Sequence, residues 1–252
     1  MNLLILGGTT EATAIANALA GDARFAATLS FAGRTQRPLA QAIPTRTGGF
    51  GGVAGLAAYL RQHRIDALID ATHPFAAQMT AHAVEAARRT ATPLLVVLRP
   101  AWTPEPGDLW TEVASMADAA AALGPVSRRV LLTAGLKDLT PFAATPWHDY
   151  IVRSIEQPPP GLLPPSALFV AARGPFEIAG ERRLLIEHRI EVIVTKNSGG
   201  GATEAKLQAA RELRLPVVML ARPPVPQAEI VLAAGAALAW LEARHAAAPR
   251  GV

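Results

Sequence analysis

Short apolar runs, separated by stretches of helical periodicity, constrain this chain more than any other feature. The runs fall at residues 3–6, 27–31, 67–70, 94–98, 130–133, 150–153, 167–171, 192–195 and 217–220. They are apolar on both faces, whereas a strand with one face in water alternates. Such a run needs cover on both sides of its sheet, and the stretches between the runs supply it. Helices are predicted over 11–20, 53–63, 75–90, 116–123, 176–188, 203–214 and 233–245. Alternation of this kind is the pattern of an α/β chain, with parallel sheets flanked by helices. Half of the 252 residues are apolar and 17% are charged, which is enough to fill such cores.

Prolines mark a boundary. The stretch "RPAWTPEPG", residues 99–107, holds three prolines and continues neither a strand nor a helix. Strand–helix units before and after it are similar in number. Two lobes are therefore expected, 1–99 and 100–252, with a hinge between them. A second cluster, "QPPPGLLPP" at 157–165, reads as a rigid loop inside the second lobe.

Several functions are excluded by what is missing. The formal charge is +4 and the isoelectric point about 10.1, which suits acidic ligands. Basic residues form no run, however, and aromatics are 5% of the chain, so no nucleic-acid surface is expected. Cysteine is absent, which removes disulfides, thiolate metal sites and a thiol nucleophile. No apolar run reaches the roughly 18 residues of a membrane span, and no secretory signal opens the chain. A cytoplasmic protein without a metal site or a membrane is expected. The H-E-x-x-H, G-x-S-x-G and Walker patterns do not occur. Tyr59 and Tyr150 are followed four residues on by His63 and Ser154, so the Tyr–Lys pair of short-chain dehydrogenases is absent.

The ends of the strands carry the chemistry. Gly7 and Gly8 follow the first strand, and Thr9, Thr10 and Glu11 open a helix. Glycine lets backbone approach a ligand closely, and the N–H groups of a first helical turn attract phosphate. A plain strand-to-helix junction reads the same way, since the full G-x-G-x-x-G spacing is absent. Glu11 is expected as a helix cap. No acid occurs between Asp22 and Asp66, where an enzyme for the unphosphorylated nicotinamide cofactor places one to hold the ribose. Ser30, Arg34, Thr35 and Arg37 stand there instead, a set suited to a 2′-phosphate and hence to NADPH. Gly48 and Gly49, in "TGGFGG", are expected to pass close to the cofactor. Asp70, Thr72 and His73, in "LIDATHPFA", lie at the carboxyl edge of the run at 67–70, where open α/β sheets bind ligands. Thr72 is expected beside the cofactor, and Pro74 in the first turn of the next helix. His63, His82, His188 and His245 fall within helices and read as surface residues.

Of three lysines, Lys137 and Lys196 follow apolar runs directly, while Lys206 lies on a helix and is expected to be solvated. The second glycine corner, "TKNSGGG" at 195–201, offers amides and a charge to carboxylate or phosphate. Arg153 and Arg173 also sit at strand ends.

Taken in order, "LILGGTTEA", "SFAGRT", "DATHPFA", "RGPF" and "VTKNSGG" resemble the precorrin-6A reductases of the cobalamin pathway. The resemblance implies two Rossmann-like lobes, each a mainly parallel sheet flanked by helices, with the site in an interlobe cleft. It implies an NADPH-dependent reductase that takes precorrin-6A to precorrin-6B by reducing one ring double bond. Pyrophosphate would then lie at Gly7, Gly8, Thr9 and Thr10, with the 2′-phosphate near Ser30, Arg34 and Thr35. His73 and Lys196 are candidate proton donors, with bound water as a third. Lys137, Arg153, Lys196, Asn197, Ser198, Gly199 and Gly200 would hold the carboxylate arms of the tetrapyrrole. Two rivals stay open: a reductase of another conjugated substrate, and a non-catalytic two-lobed binder of an acidic small molecule. Transfer of product to the next pathway enzyme is also left open.

Overall fold

The computed structural model describes residues 1–33, 40–135, 138–159 and 161–247. They form two compact units. The first comprises Met1–Pro100 together with Pro223 onward, and the second is Ala101–Arg222.

The first unit is built on strands β1 (Asn2–Leu6), β2 (Ala26–Phe31), β3 (Thr45–Thr47), β4 (Ala67–Asp70), β5 (Leu94–Val97) and β12 (Glu229–Val231). All pairings are parallel, in the order β12-β5-β4-β1-β2-β3. Alternate residues of each strand face opposite sides. Leu3, Ile5, Ala27, Leu29, Ile69 and Leu95 pack against helices α1 (Thr10–Leu19) and α7 (Ala234–Ala247). Leu4, Leu6 and Leu68 pack the other way, against α2 (Gly52–Gln62) and α3 (Ala77–Thr90). The double-sided runs in the sequence are thus explained by two apolar layers on one sheet.

The second unit holds β6 (Leu109–Val113), β7 (Arg129–Thr133), β8 (Asp149–Ser154), β9 (Ala167–Ala171), β10 (Val192–Lys196) and β11 (Pro216–Leu220). They are again parallel, in the order β6-β11-β10-β7-β8-β9. Leu131, Ile151, Ile193 and Met219 meet α5 (Ile178–Glu187) and α6 (Ala205–Glu212). Helix α4 (Met116–Ala122) packs against β11. Ser115 caps α4, its hydroxyl accepting from the Asp118 N–H at 3.0 Å.

Three expectations are corrected. The second lobe does not run on to Val252. β12 hydrogen-bonds to β5, and Ala237 and Leu241 of α7 are fully buried in the first core. Strands β3, β6 and β12 were not predicted: all three lie at sheet edges, and none carries a long apolar run. Helix α3 begins at Ala77, after Pro74, because the His73 ring and carbonyl take the N–H groups of Phe75 and Ala76 and close a separate turn first. Among the described residues no helix is long and apolar enough to cross a membrane.

If the chain's last helix completes the first core, Leu241→Ala should lower unfolding free energy by about 2–5 kcal/mol in urea titration. Ile186→Ala on α5, 57% exposed, should stay within about 0.5 kcal/mol. Similar losses at both positions would reject this account of the core.

Candidate functional site

Both sheets reverse strand direction of growth at their centre, β1 beside β4 in the first and β7 beside β10 in the second. A crevice opens at the carboxyl edge of such a reversal. Both glycine corners lie there.

In the first unit the chain leaves β1 at Gly7, whose N–H donates to Ser30 O at 2.9 Å. A Cβ at Gly7 would stand 2.6 Å from Leu29 Cδ1, and Gly8 holds φ +115 with open space where its Cβ would be. Thr9 caps α1, its Oγ1 accepting from Ala12 N at 3.2 Å and donating to Ala71 O at 2.7 Å. One hydroxyl therefore starts the helix and ties β1 to the end of β4. The N–H groups of Gly8, Thr9 and Thr10 donate to no acceptor among the described residues. These are the orphan donors of a helix start, aimed where an anion is favoured.

Glu11 is not the cap. It pairs with Arg99 Nη1 at 2.9 Å. Burial pushes its carboxyl up, but its backbone hydrogen bond, the Arg99 charge and the Thr10 hydroxyl together hold it below the ordinary value. Arg99 thus neutralises Glu11, the acid in the first turn of α1.

Beside it, Ser30 is buried and accepts from Arg46 Nη1 at 2.7 Å. Arg46 also donates to Gly48 O at 3.0 Å and Gly49 O at 3.3 Å, and lies 3.9 Å from the Phe50 ring centroid. Sequence reasoning missed Arg46. Its signal was a single arginine between two threonines, just before "GGFGG". The three-residue strand β3 turns it inward while both neighbours stay exposed. Gly48 takes φ +122, with open space at its Cβ position. Arg34, Thr35 and Lys137 lie outside the described residues.

At the end of β4, Asp70 is buried. Its Oδ1 accepts from Thr72 N at 3.0 Å and Thr72 Oγ1 at 2.7 Å, and Oδ2 has no partner among the described residues. The Thr72 hydroxyl proton is therefore committed to Asp70. His73 Nδ1 accepts from Phe75 N at 3.2 Å. That nitrogen is therefore committed inside the turn that precedes α3.

The second unit differs at the equivalent place. After β7 the chain enters a short 3-10 turn, Thr140–Ala144, with no α-helix, and Asp138 stands at the crevice. Asp138 pairs with Lys196 at the end of β10 and accepts from Gly135 N at 3.0 Å. The side chains of Lys196 and Asp138 are 18% and 24% exposed, so the pair is reachable from solvent. Beyond Lys196, Gly199 and Gly200 adopt φ +65 and +76. Their N–H groups donate to no acceptor among the described residues.

Three expected contacts change. The Asn197 side chain is committed internally: Oδ1 accepts from Trp102 N at 2.8 Å, and Nδ2 donates to Trp102 O at 2.9 Å. Arg153 is buried in a bidentate pair with Glu181, the two side chains 4% and 3% exposed, and its guanidinium lies 4.2 Å from the Phe176 ring centroid. It ties β8 to α5 and presents no donor to a carboxylate arm. Lys206 is buried, not solvated, with Nζ donating to Thr203 O at 2.6 Å. Burial, helped by the Arg153 charge and opposed by Glu181 and Glu204, pulls its ammonium down to about 7. His148, also missed, is buried edge-on to Tyr150 before β8, away from the carboxyl edge, and fills a structural role. Among the described residues no acid–histidine group could hold a metal ion.

Comparison with known proteins follows this geometry. Residues 2–242 match the family described as precorrin-6x reductase CbiJ/CobK. The precorrin-6A reductase of Rhodobacter capsulatus is 50% identical over 251 residues, covering 99% of each chain. That of Rhodococcus erythropolis is 48% identical over 240 residues, 95% of this chain and 96% of the other. The solved structure of CobK precorrin-6A reductase matches over the whole of both chains with a TM-score of 0.93 at 48% identity.

Lys206 makes stability depend on pH. The folded-state value is about 7 against an ordinary 10.5. Between these values the unfolded chain binds a proton that the folded chain rejects, so this group's linkage raises stability as pH rises. Lys206→Met removes it. The melting temperature of the variant relative to the natural protein should be most favourable at pH 6 and decline towards pH 9 in scanning calorimetry. A difference that is flat with pH would refute the assignment.

Proposed function

The chain belongs to the precorrin-6x reductase family, and from that premise we propose that it reduces a ring double bond of precorrin-6A with NADPH, giving precorrin-6B in cobalamin biosynthesis. As an oxidoreductase of this family it is not a non-catalytic binder. A cytoplasmic setting goes with this reading, since a reduced nicotinamide is regenerated there.

The observation that carries the assignment of parts is the contrast between the two crevices. The first has a capped α-helix, N–H groups without acceptors, and its first-turn acid Glu11 neutralised by Arg99. The second places Asp138 where a diphosphate would sit, but adds a lysine and two glycine amides at its other wall. Diphosphate suits the first and substrate carboxylates the second.

Gly7, Gly8, Thr9 and Thr10 would then hold the cofactor's pyrophosphate. Ser30, Arg34 and Thr35 would take the 2′-phosphate, with Arg46 fixing Ser30 and the loop at Gly48 and Gly49 alongside. Bound NADPH would supply the hydride. The chain's own task is to deliver a proton to the atom next to the reduced carbon. Of the two side-chain candidates we choose Lys196. His73 accepts at Nδ1, so it could act as an acid only after giving up the Phe75 N–H. Lys196 stands at the crevice at the end of β10, paired with Asp138 and reachable from solvent. Lys137, Ser198, Gly199 and Gly200 would hold carboxylate arms. Asn197 and Arg153 are left out of that role because both are committed internally.

The test follows nicotinamide oxidation with precorrin-6A as substrate. Arg34→Ala should raise the NADPH KM roughly tenfold or more, the loss of a charge-assisted bond, and leave the NADH KM within about twofold. Equal effects would remove Arg34 from the phosphate site. Lys196→Met should lower kcat on the order of 100-fold, with NADP affinity unchanged by calorimetry. A kcat within a few fold of the natural protein would make water the donor.

A further inference from the structure

The second glycine corner is held from beneath by residues that the proposed reaction does not use. Trp102 enters the second unit among prolines and is buried at once. Its backbone N–H and C=O both bond the Asn197 side chain, at 2.8 and 2.9 Å, as a strand partner would. Its indole Nε1 donates to Gly200 O at 3.2 Å. One residue thus grips both ends of 197–200. Beneath it, Lys206 Nζ lies 4.7 Å from the Trp102 ring centroid and donates to Thr203 O at 2.6 Å. That carbonyl closes the short turn Gly201–Thr203, which leads from the corner into α6.

Left unbraced, two successive glycines have many conformations, and each must be fixed before its amide can face a ligand. A brace that fixes them in advance removes that loss from binding. Both glycines sit at positive φ, so their amides point where they do only while 197, 200 and 203 are held.

We propose that Trp102 and Lys206 are positioning residues, a buried tryptophan–lysine strut that presets the 197–203 corner for the carboxylate arms of the substrate. The inference rests on the reading above, that this corner holds those arms. Neither residue need touch the substrate.

Two variants test it. Trp102→Phe keeps an aromatic ring and the backbone bonds to Asn197, and removes the indole N–H together with part of the indole's bulk. Lys206→Met keeps the buried stem and removes the nitrogen. Each is first checked for native circular dichroism. In the ligand-free protein, amide hydrogen exchange across 198–203 should speed up by roughly tenfold, the factor expected for one net hydrogen bond. The precorrin-6A KM should rise by about the same factor, with kcat within about twofold and NADP affinity unchanged. Unchanged exchange in a folded variant overturns the strut. Faster exchange with an unchanged KM overturns its positioning role. Should the natural protein fail to reduce precorrin-6A at all, the functional reading fails, and exchange in the two variants still decides whether the strut exists.

Discussion

A wholly parallel sheet forces every connection to cross from one edge to the other, so all the loops that leave strand carboxyl ends gather on one side. Everything functional here depends on that constraint. Strand order then decides where on that side a ligand can enter. In both units the chain builds outward in one direction, returns to the centre, and builds the other way. The two central strands therefore send their following loops apart. Gly7 and Asp70 flank one such gap, and Asp138 and Lys196 the other. Only afterwards do residue types matter: the same architecture becomes an anion cradle with a capped helix, or a charged wall with Lys196.

Charge alone is a poor guide to what those walls receive. The excess of basic residues suggests carboxylate receptors at every strand end, yet much of that charge is turned inward. Arg153 lies against Glu181, Arg99 against Glu11, and Arg211 against Asp108. Buried or half-buried pairs of this kind contribute less to stability than their Coulomb attraction suggests, because both ions lose water. What they do supply is register: Arg153 fixes β8 against α5, and Arg211 fixes α6 against the segment before β6. Lys196 differs in its place, at the end of β10 on the crevice, where it pairs with Asp138.

What could be read from sequence follows from where the signal lies. Eight of the nine runs are interior strands, where burial on two faces writes itself into consecutive residues, as in Leu3, Leu4, Ile5 and Leu6; the ninth, β9, is an edge strand that is apolar in sequence yet partly exposed. Edge strands such as Glu229–Val231 carry no such mark, since backbone pairing defines them more than side chains do. Glycine corners were legible because positive φ excludes most other residues, as at Gly8 and Gly200. Partners were not legible. "TRTGG" gives no hint that Arg46 bonds Ser30 sixteen positions earlier, nor does "NSGG" tell that Asn197 holds Trp102. Lys206 shows the limit most clearly: helical spacing placed it on α6, but only the fold decides that its face turns inward.

The missed edge strand matters more than its three residues suggest. β12 comes from the chain's end yet closes the sheet that begins at its start, and α7 behind it buries Ala237 and Leu241 against α1. Helix α1 is the one whose first turn carries the anion cradle. Residues beyond Pro223 give α1 its neighbour α7, while Thr9, the Gly7–Ser30 hydrogen bond and packing on β1 and β2 also hold the cradle at Gly8–Thr10. The second unit is the continuous one, folded from Ala101–Arg222, with its own edge strand β6 supplied from its beginning. The first unit is discontinuous in sequence, and α1, whose first turn forms the proposed cofactor corner, packs against both of its segments.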